Sequence, residues 1–160
     1  MRPAALALLL LLALVGGCGS GRAAGRLLPQ AGAGGGPRIG LVKNPGNDDG
    51  CNCSLHRKAD RQNRAVLITD LDETAWMNLD GRDVRLRLKQ NSRPKAPMRV
   101  GQKFVERYEG GGYSLKIEYE VREVCAPEDE GCEAITYAAW VTVARGGETQ
   151  RVPLAGTCGC

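Results

Sequence analysis

Two aspartates, two positions apart, close an apolar run: Ala65-Val66-Leu67-Ile68-Thr69 leads into Asp70-Leu71-Asp72-Glu73-Thr74. Carboxylates at that spacing can divide a group transfer, one attacking while the other protonates the leaving group. The plainer expectation is that Asp70, Asp72 and Glu73 form a polar turn between strands. His56, the one histidine, sits among Arg57, Lys58, Asp60 and Arg61 and reads as an exposed loop side chain. A hydrolase triad or a histidine-rich metal site would have to rest on it alone, and no catalytic residue is expected. The cysteines say more. Cys51, Cys53, Cys125, Cys132, Cys158 and Cys160 are an even set, which in a small exported domain implies a disulfide framework. Four thiolates from Cys51/Cys53 and Cys158/Cys160 could instead surround zinc. Paired zinc ligands more often have two or more residues between them and export favours oxidation, so no metal or other cofactor is expected. The candidate binding residues are Arg93, Lys95 and Arg99, in a proline-bearing loop over 91–100 that is long and not needed for packing.

Strands must position these residues. From about residue 64 apolar side chains recur with period two, interrupted by Asp-Gly and Gly-Gly, and no stretch carries a helical stripe. Strands are expected over 64–69, 75–79, 84–89, 104–109, 113–124, 134–143 and 149–154, with a short edge strand at 39–42. Asp80-Gly81 supplies the positive φ of a tight hairpin turn. Along the longest run Tyr113, Leu115, Ile117, Tyr119 and Val121 face inward while Ser114, Lys116, Glu118, Glu120 and Arg122 face water. Trp76 and Trp140 are assigned to the core. The fold class is therefore all-β, a small antiparallel barrel or sandwich of about seven strands stapled by disulfides. Strands leaving one short loop predict a Cys125–Cys132 bond. Residues two apart share a strand face, so Cys51/Cys53 can meet Cys158/Cys160, with the pairing inside that set left open.

The N-terminus has a different character. Met1 and Arg2 precede the twelve-residue apolar run Ala4 to Val15, too short to cross a bilayer core of roughly 30 Å and shaped like a signal peptide. Val15-Gly16-Gly17-Cys18 resembles a bacterial lipobox, which implies cleavage before Cys18 and lipid on its sulfur. Gly19 and Ser20 lack the aspartate associated with inner-membrane retention, which points to the outer membrane, facing the periplasm. The organisation expected is a signal peptide at 1–17, a Gly-rich flexible tether at 18–48 and a disulfide-stapled β domain at 49–160.

From Cys51 onward seventeen Lys/Arg face sixteen Asp/Glu, so the whole-chain charge of +4 lies mainly outside the domain and nucleic acid is not an expected partner. Between Arg82 and Arg107, however, nine cations meet only Asp83 and Glu106. A basic side of that kind suits an anionic envelope polymer. Two family resemblances bear on activity. The run from Ala65 to Thr74 resembles the first motif of the haloacid dehalogenase superfamily, which implies an acid phosphatase with Asp70 as nucleophile, Asp72 as general acid/base and magnesium held partly by Asp70. That superfamily needs parallel strands joined by long crossovers, and here 76–88 turns straight back on itself. Residues 75–88 around Asp80-Gly81, followed by Arg107-Tyr108 before a glycine turn, resemble envelope lipoproteins that inhibit C-type lysozyme, which implies an antiparallel β-barrel with disulfides. The expected function is a non-catalytic cell-envelope lipoprotein, held to the membrane through Cys18, with a β domain that binds an envelope protein or anionic polymer.

Overall fold

The computed structural model describes residues 35–44, 51–71, 73–95, 97–126 and 131–160. The signal peptide, Cys18, most of the tether and Asp72 lie outside them. The chain forms β1 (Ile39–Gly40), β2 (Asn52–His56), β3 (Ala65–Thr69), β4 (Thr74–Leu79), β5 (Arg82–Asn91), β6 (Lys103–Gly110), β7 (Tyr113–Glu123), β8 (Ala134–Arg145) and β9 (Glu148–Gly159). Hydrogen bonding runs in the order β4-β3-β2-β9-β8-β7-β6-β5, every neighbour antiparallel, and β4 pairs β5 to close an eight-stranded barrel. The extra strand β1 pairs Leu79 and Asn78, continuing the edge of β4 where β3 stops at Met77.

Period two drives this arrangement. Tyr113, Leu115, Ile117, Tyr119 and Val121 of β7 are all buried, facing the equally buried Tyr137, Ala139, Val141 and Val143 of β8. A barrel of eight strands leaves an interior just wide enough for side chains to fill, and here Tyr119, Tyr137, Leu55, Leu67, Met77 and Leu86 fill it. Three turns connect strands in two residues, Asp80-Gly81, Gly111-Gly112 and Gly146-Gly147, and all six residues have positive φ. That is the type I′ geometry whose twist matches a hairpin.

Three expectations change. The barrel has eight strands and the sheet nine, because Asn52–His56 is a strand and β9 runs on to Gly159. His56 is accordingly the last residue of β2, paired with Ala65 and Ala155 and half-buried, where an exposed loop side chain was expected. Trp140 is 46% exposed instead of in the core, since its strand phase is opposite to that of Tyr137, Ala139 and Val141.

Residues 38–44 fall in the segment read as a tether, apart from the short edge strand expected at 39–42 and found as β1, and they are bound to the barrel. The Asp80 carboxylate accepts the Arg38 N–H at 2.9 Å and the Tyr113 hydroxyl at 2.8 Å, with the Arg145 guanidinium 3.2 Å away. The Asp83 carboxylate accepts the N–H groups of Lys43 and Asn44 and the Asn78 amide. Bonding first from Arg38 and then from Tyr113 holds Asp80 below its ordinary value of 3.8. Burial pushes Asp83 upward, but the bonds from Asn44, Asn78 and Lys43 outweigh it and the result is also below 3.8. A carboxylate lowered by folding stabilises the fold fully above its unfolded value and loses that contribution as pH falls through the folded one. Amide exchange at Ile39 and Gly40 should therefore accelerate as pH drops below 3.8 relative to β8 and β9, and Asp80→Asn with Asp83→Asn should remove this pH dependence. Parallel loss of protection in β1 and β8 would contradict it.

Candidate functional site

Antiparallel connectivity sorts the loops by end. One end carries the three two-residue turns and the 57–64 loop. The other gathers the start of β2, the end of β9, the turn at 70–73 and the two longest connections between barrel strands, 92–102 and 124–133. All three disulfides are at this second end. Cys53–Cys158 joins directly paired residues of β2 and β9 and points inward, Cys51–Cys160 lies just beyond it, and Cys125–Cys132 ties the 124–133 connection. The expected Cys125–Cys132 bond is present. So is the meeting of the two Cys-x-Cys pairs, whose thiols are consumed as disulfides and so are not free to hold zinc.

Inside this mouth sits the one buried carboxylate among the described residues. Phe104, Glu106 and Tyr108 share the inward face of β6, and Glu106 is 1% exposed. A buried carboxylate needs a partner. The Tyr108 hydroxyl donates to Glu106 Oε2 at 2.8 Å, and Arg93 reaches in from the 92–102 connection to place Nη2 at 3.1 Å from Oε1. The same guanidinium lies 5.0 Å from the centroid of Phe104. Phe104 stacks on Tyr119 at 4.6 Å, and Tyr137 meets both edge-on at 5.8 and 5.4 Å. Burial and the Glu106 charge together push the Tyr108 and Tyr119 hydroxyls well above the ordinary tyrosine range, so both are protonated donors. The fit is incomplete, however. Arg93 Nε and Nη2, Tyr119 Oη and Thr69 Oγ1 are buried without an aligned hydrogen-bond partner.

The sequence-derived binding residues thus separate. Arg93 turns into the barrel, whereas Lys95 and Arg99 stay exposed on the connection. That connection, read as free of packing duty, also lays Met98 against the core. Removing one member of a buried ion pair is typically worth 3–5 kcal/mol, and with Arg93 about one-fifth exposed Arg93→Ala is expected to cost about 2 kcal/mol. Glu106→Leu in the same protein should restore much of it, because the stranded charge is then gone. Additive losses in a double-mutant cycle by urea unfolding would contradict the pairing.

Asp70 serves its own turn. Its Oδ1 accepts the N–H groups of Glu73 at 2.9 Å and Thr74 at 2.7 Å, and Leu71 takes a φ of 67° between them. The all-β barrel is also not the parallel α/β sheet that the haloacid dehalogenase resemblance implied.

A second feature lies on the outer face of β6 to β9. Arg151 stacks 4.4 Å over the exposed Trp140 and reaches Glu118, which Lys116 also bonds. Glu120 is bracketed in the same way by Lys103 and Arg122. The shallow depression here, about 380 Å³, is a mixed-charge surface whose carboxylates are already paired. No protein-family model, curated protein or solved structure matches this chain.

Proposed function

We propose that this protein is a non-catalytic, lipid-anchored binding domain of the bacterial envelope, carried on Cys18 and a Gly-rich tether, that engages an envelope partner with the open end of its barrel. One observation carries the reading: the three disulfides, the two longest connections between barrel strands and the buried Glu106–Arg93 pair all converge on one end. Mouths of small β-barrels are preferred binding places, and bonds that fix a rim reduce the ordering cost of binding. Exposed cations on the same connection, Lys95 and Arg99, widen the surface that a partner would meet.

Fractionation tests the anchoring. The native chain made in a bacterial host should sediment with membranes, while Cys18→Ala should leave the disulfide-bonded barrel in the soluble periplasmic fraction. Unchanged partitioning and processing would overturn the lipoprotein reading. Magnesium-dependent hydrolysis of a phosphomonoester that is lost in Asp70→Asn would overturn the non-catalytic one.

A closed antiparallel barrel with disulfides is also what the lysozyme-inhibitor resemblance implies, and that inhibition is the second reading. It predicts that the purified protein slows bacterial lysis by a C-type lysozyme at stoichiometric concentration.

A further inference from the structure

Four aromatic rings around one buried carboxylate form a chemical environment with a definite preference. Phe104 presents its face to the cation, with Tyr119 stacked on it and Tyr137 edge-on to both, Tyr108 fixes one oxygen of Glu106, and the other oxygen faces the cation. Rings attract a planar cation over their faces, and guanidinium is more weakly hydrated than ammonium and therefore easier to bring into such a site. Arg93 already demonstrates that the group fits. It occupies the cage badly, though: its Nη2 is near Oε1 without alignment, its Nε finds no acceptor, and the Tyr119 hydroxyl is near Glu106 but makes no well-aligned bond.

The occupant belongs to a connection hydrogen-bonded at its ends and packed between them by Met98 against the core, so its displacement must release Met98 as well. Ser92 bonds Val105, and Gly101 and Gln102 bond Val121. Cys53–Cys158 and Cys125–Cys132 fix neighbouring parts of the rim, which can persist if the connection moves.

We propose that the barrel mouth is a guanidinium-binding site, filled in the free protein by Arg93 as an internal stand-in, and that an external guanidinium displaces it when the 92–102 connection swings away. An incoming group is not constrained by that connection's backbone. It can aim N–H groups at Oε1 of Glu106 and at Tyr119 Oη together. Asp70 lies close enough to act on the Tyr108 hydroxyl, adding a second negative charge at the rim. The inference rests on the binding-domain reading and specifies its ligand chemistry. Affinity for the native protein is reduced by the fraction of time that Arg93 holds the site.

Titrations use protein exported from a bacterial host and purified with its disulfides intact. Methylguanidinium and a short blocked arginine peptide are added at constant ionic strength, with methylammonium and the matching lysine peptide as comparisons. Arg93→Ala should bind methylguanidinium saturably and about tenfold more tightly than the native chain, since the internal competitor is gone. Arg93→Ala with Glu106→Gln should lose that binding, and methylammonium should bind more weakly. Saturation by methylguanidinium and not by the arginine peptide assigns the site to a small cation, and saturation by both assigns it to an arginine side chain of a partner. Saturation by the arginine peptide only assigns it to a partner polypeptide, and each of these results supports the shared chemistry. If Arg93→Ala does not fold, hydrogen exchange on the native chain decides, because a bound guanidinium must raise exchange in 92–102 without raising it in β7 or β8. No saturable binding to folded Arg93→Ala, binding indifferent to Glu106→Gln, or no change in loop exchange overturns the site. Those results would leave the Cys18 anchoring result untouched, so the two readings fail separately.

Discussion

Losing both terminal disulfides together is expected to destabilise the domain by about 7 kcal/mol, more than the sum of losing each alone. Cys51–Cys160 and Cys53–Cys158 span 109 and 105 residues, one nested directly inside the other. In the chain-entropy model a closed loop of that length removes about 4.7 kcal/mol of unfolded-state freedom. Whichever bridge forms first takes most of the freedom, because the second then closes only a ring of a few residues, worth about 2 kcal/mol in the same model. Cys51→Ala with Cys160→Ala should therefore cost about 2 kcal/mol. Cys53→Ala with Cys158→Ala should cost about 3 kcal/mol, since this pair is also buried and its loss leaves a small void. The quadruple variant should fall by the full amount and show strong non-additivity in urea unfolding. Additive losses would contradict the nested account.

Gly156→Ala is expected to cost about 3–4 kcal/mol, more than any other single glycine-to-alanine change on the inner face of the barrel. Gly156 stands in β9 directly between Leu55 of β2 and Tyr137 of β8. A Cβ built there would run into the Ser54 carbonyl oxygen and lie 2.9 Å from the Leu55 Cα. Both obstacles are backbone, so relief requires β2 to move, and β2 carries Cys53 into its bond with Cys158. Gly112 and Gly147 offer a comparison. Open space surrounds a Cβ at either, and only their positive φ opposes alanine, at about 1–2 kcal/mol. A Gly156→Ala urea midpoint close to that of the native chain would show that β2 and β9 are not so tightly apposed.

Much of the barrel was legible because its strands obey one rule. In β7 the inward set Tyr113 to Val121 alternates without a break, and Asp80-Gly81, Gly111-Gly112 and Gly146-Gly147 mark the turns by the φ they require. Where the rule has little to act on, the reading failed. Strand β2 offers only Cys53 and Leu55 to the interior, and cysteine reads first as a bridge and only then as a small apolar side chain. The end of β9, from Ala155 to Gly159, is too small and polar to announce a strand, yet the close approach to β2 requires small residues there. At Trp140, size argued for the core while strand phase argued for the surface, and phase prevailed.

The candidate site was half legible. Glu106 falls in the inward phase between Phe104 and Tyr108, which is a visible conflict: a charge where the pattern calls for an apolar side chain. Its resolution was not visible. Arg93 is thirteen positions earlier in an irregular connection, and nothing in its neighbours shows that this cation, unlike Lys95 and Arg99, crosses the mouth to meet a buried acid. The path of a loop over a barrel end depends on tertiary packing, here including Met98 against the core. For the carboxylates after β3 the plainer reading, a polar turn, held at Asp70. Asp70 follows an apolar strand, as a nucleophile would, but its oxygen caps the backbone of its own turn.

Site-specific photo-crosslinking in living cells tests the central claim, that the barrel binds through its disulfide-clamped end, most directly. A photo-reactive residue replacing Lys95 samples that end, and one replacing Glu148, beside the Gly146-Gly147 turn, samples the other; both positions are exposed. The account predicts a discrete adduct from position 95, lost when Cys53→Ala and Cys158→Ala loosen the rim, and none from position 148. An adduct from position 148 with none from position 95 would contradict it.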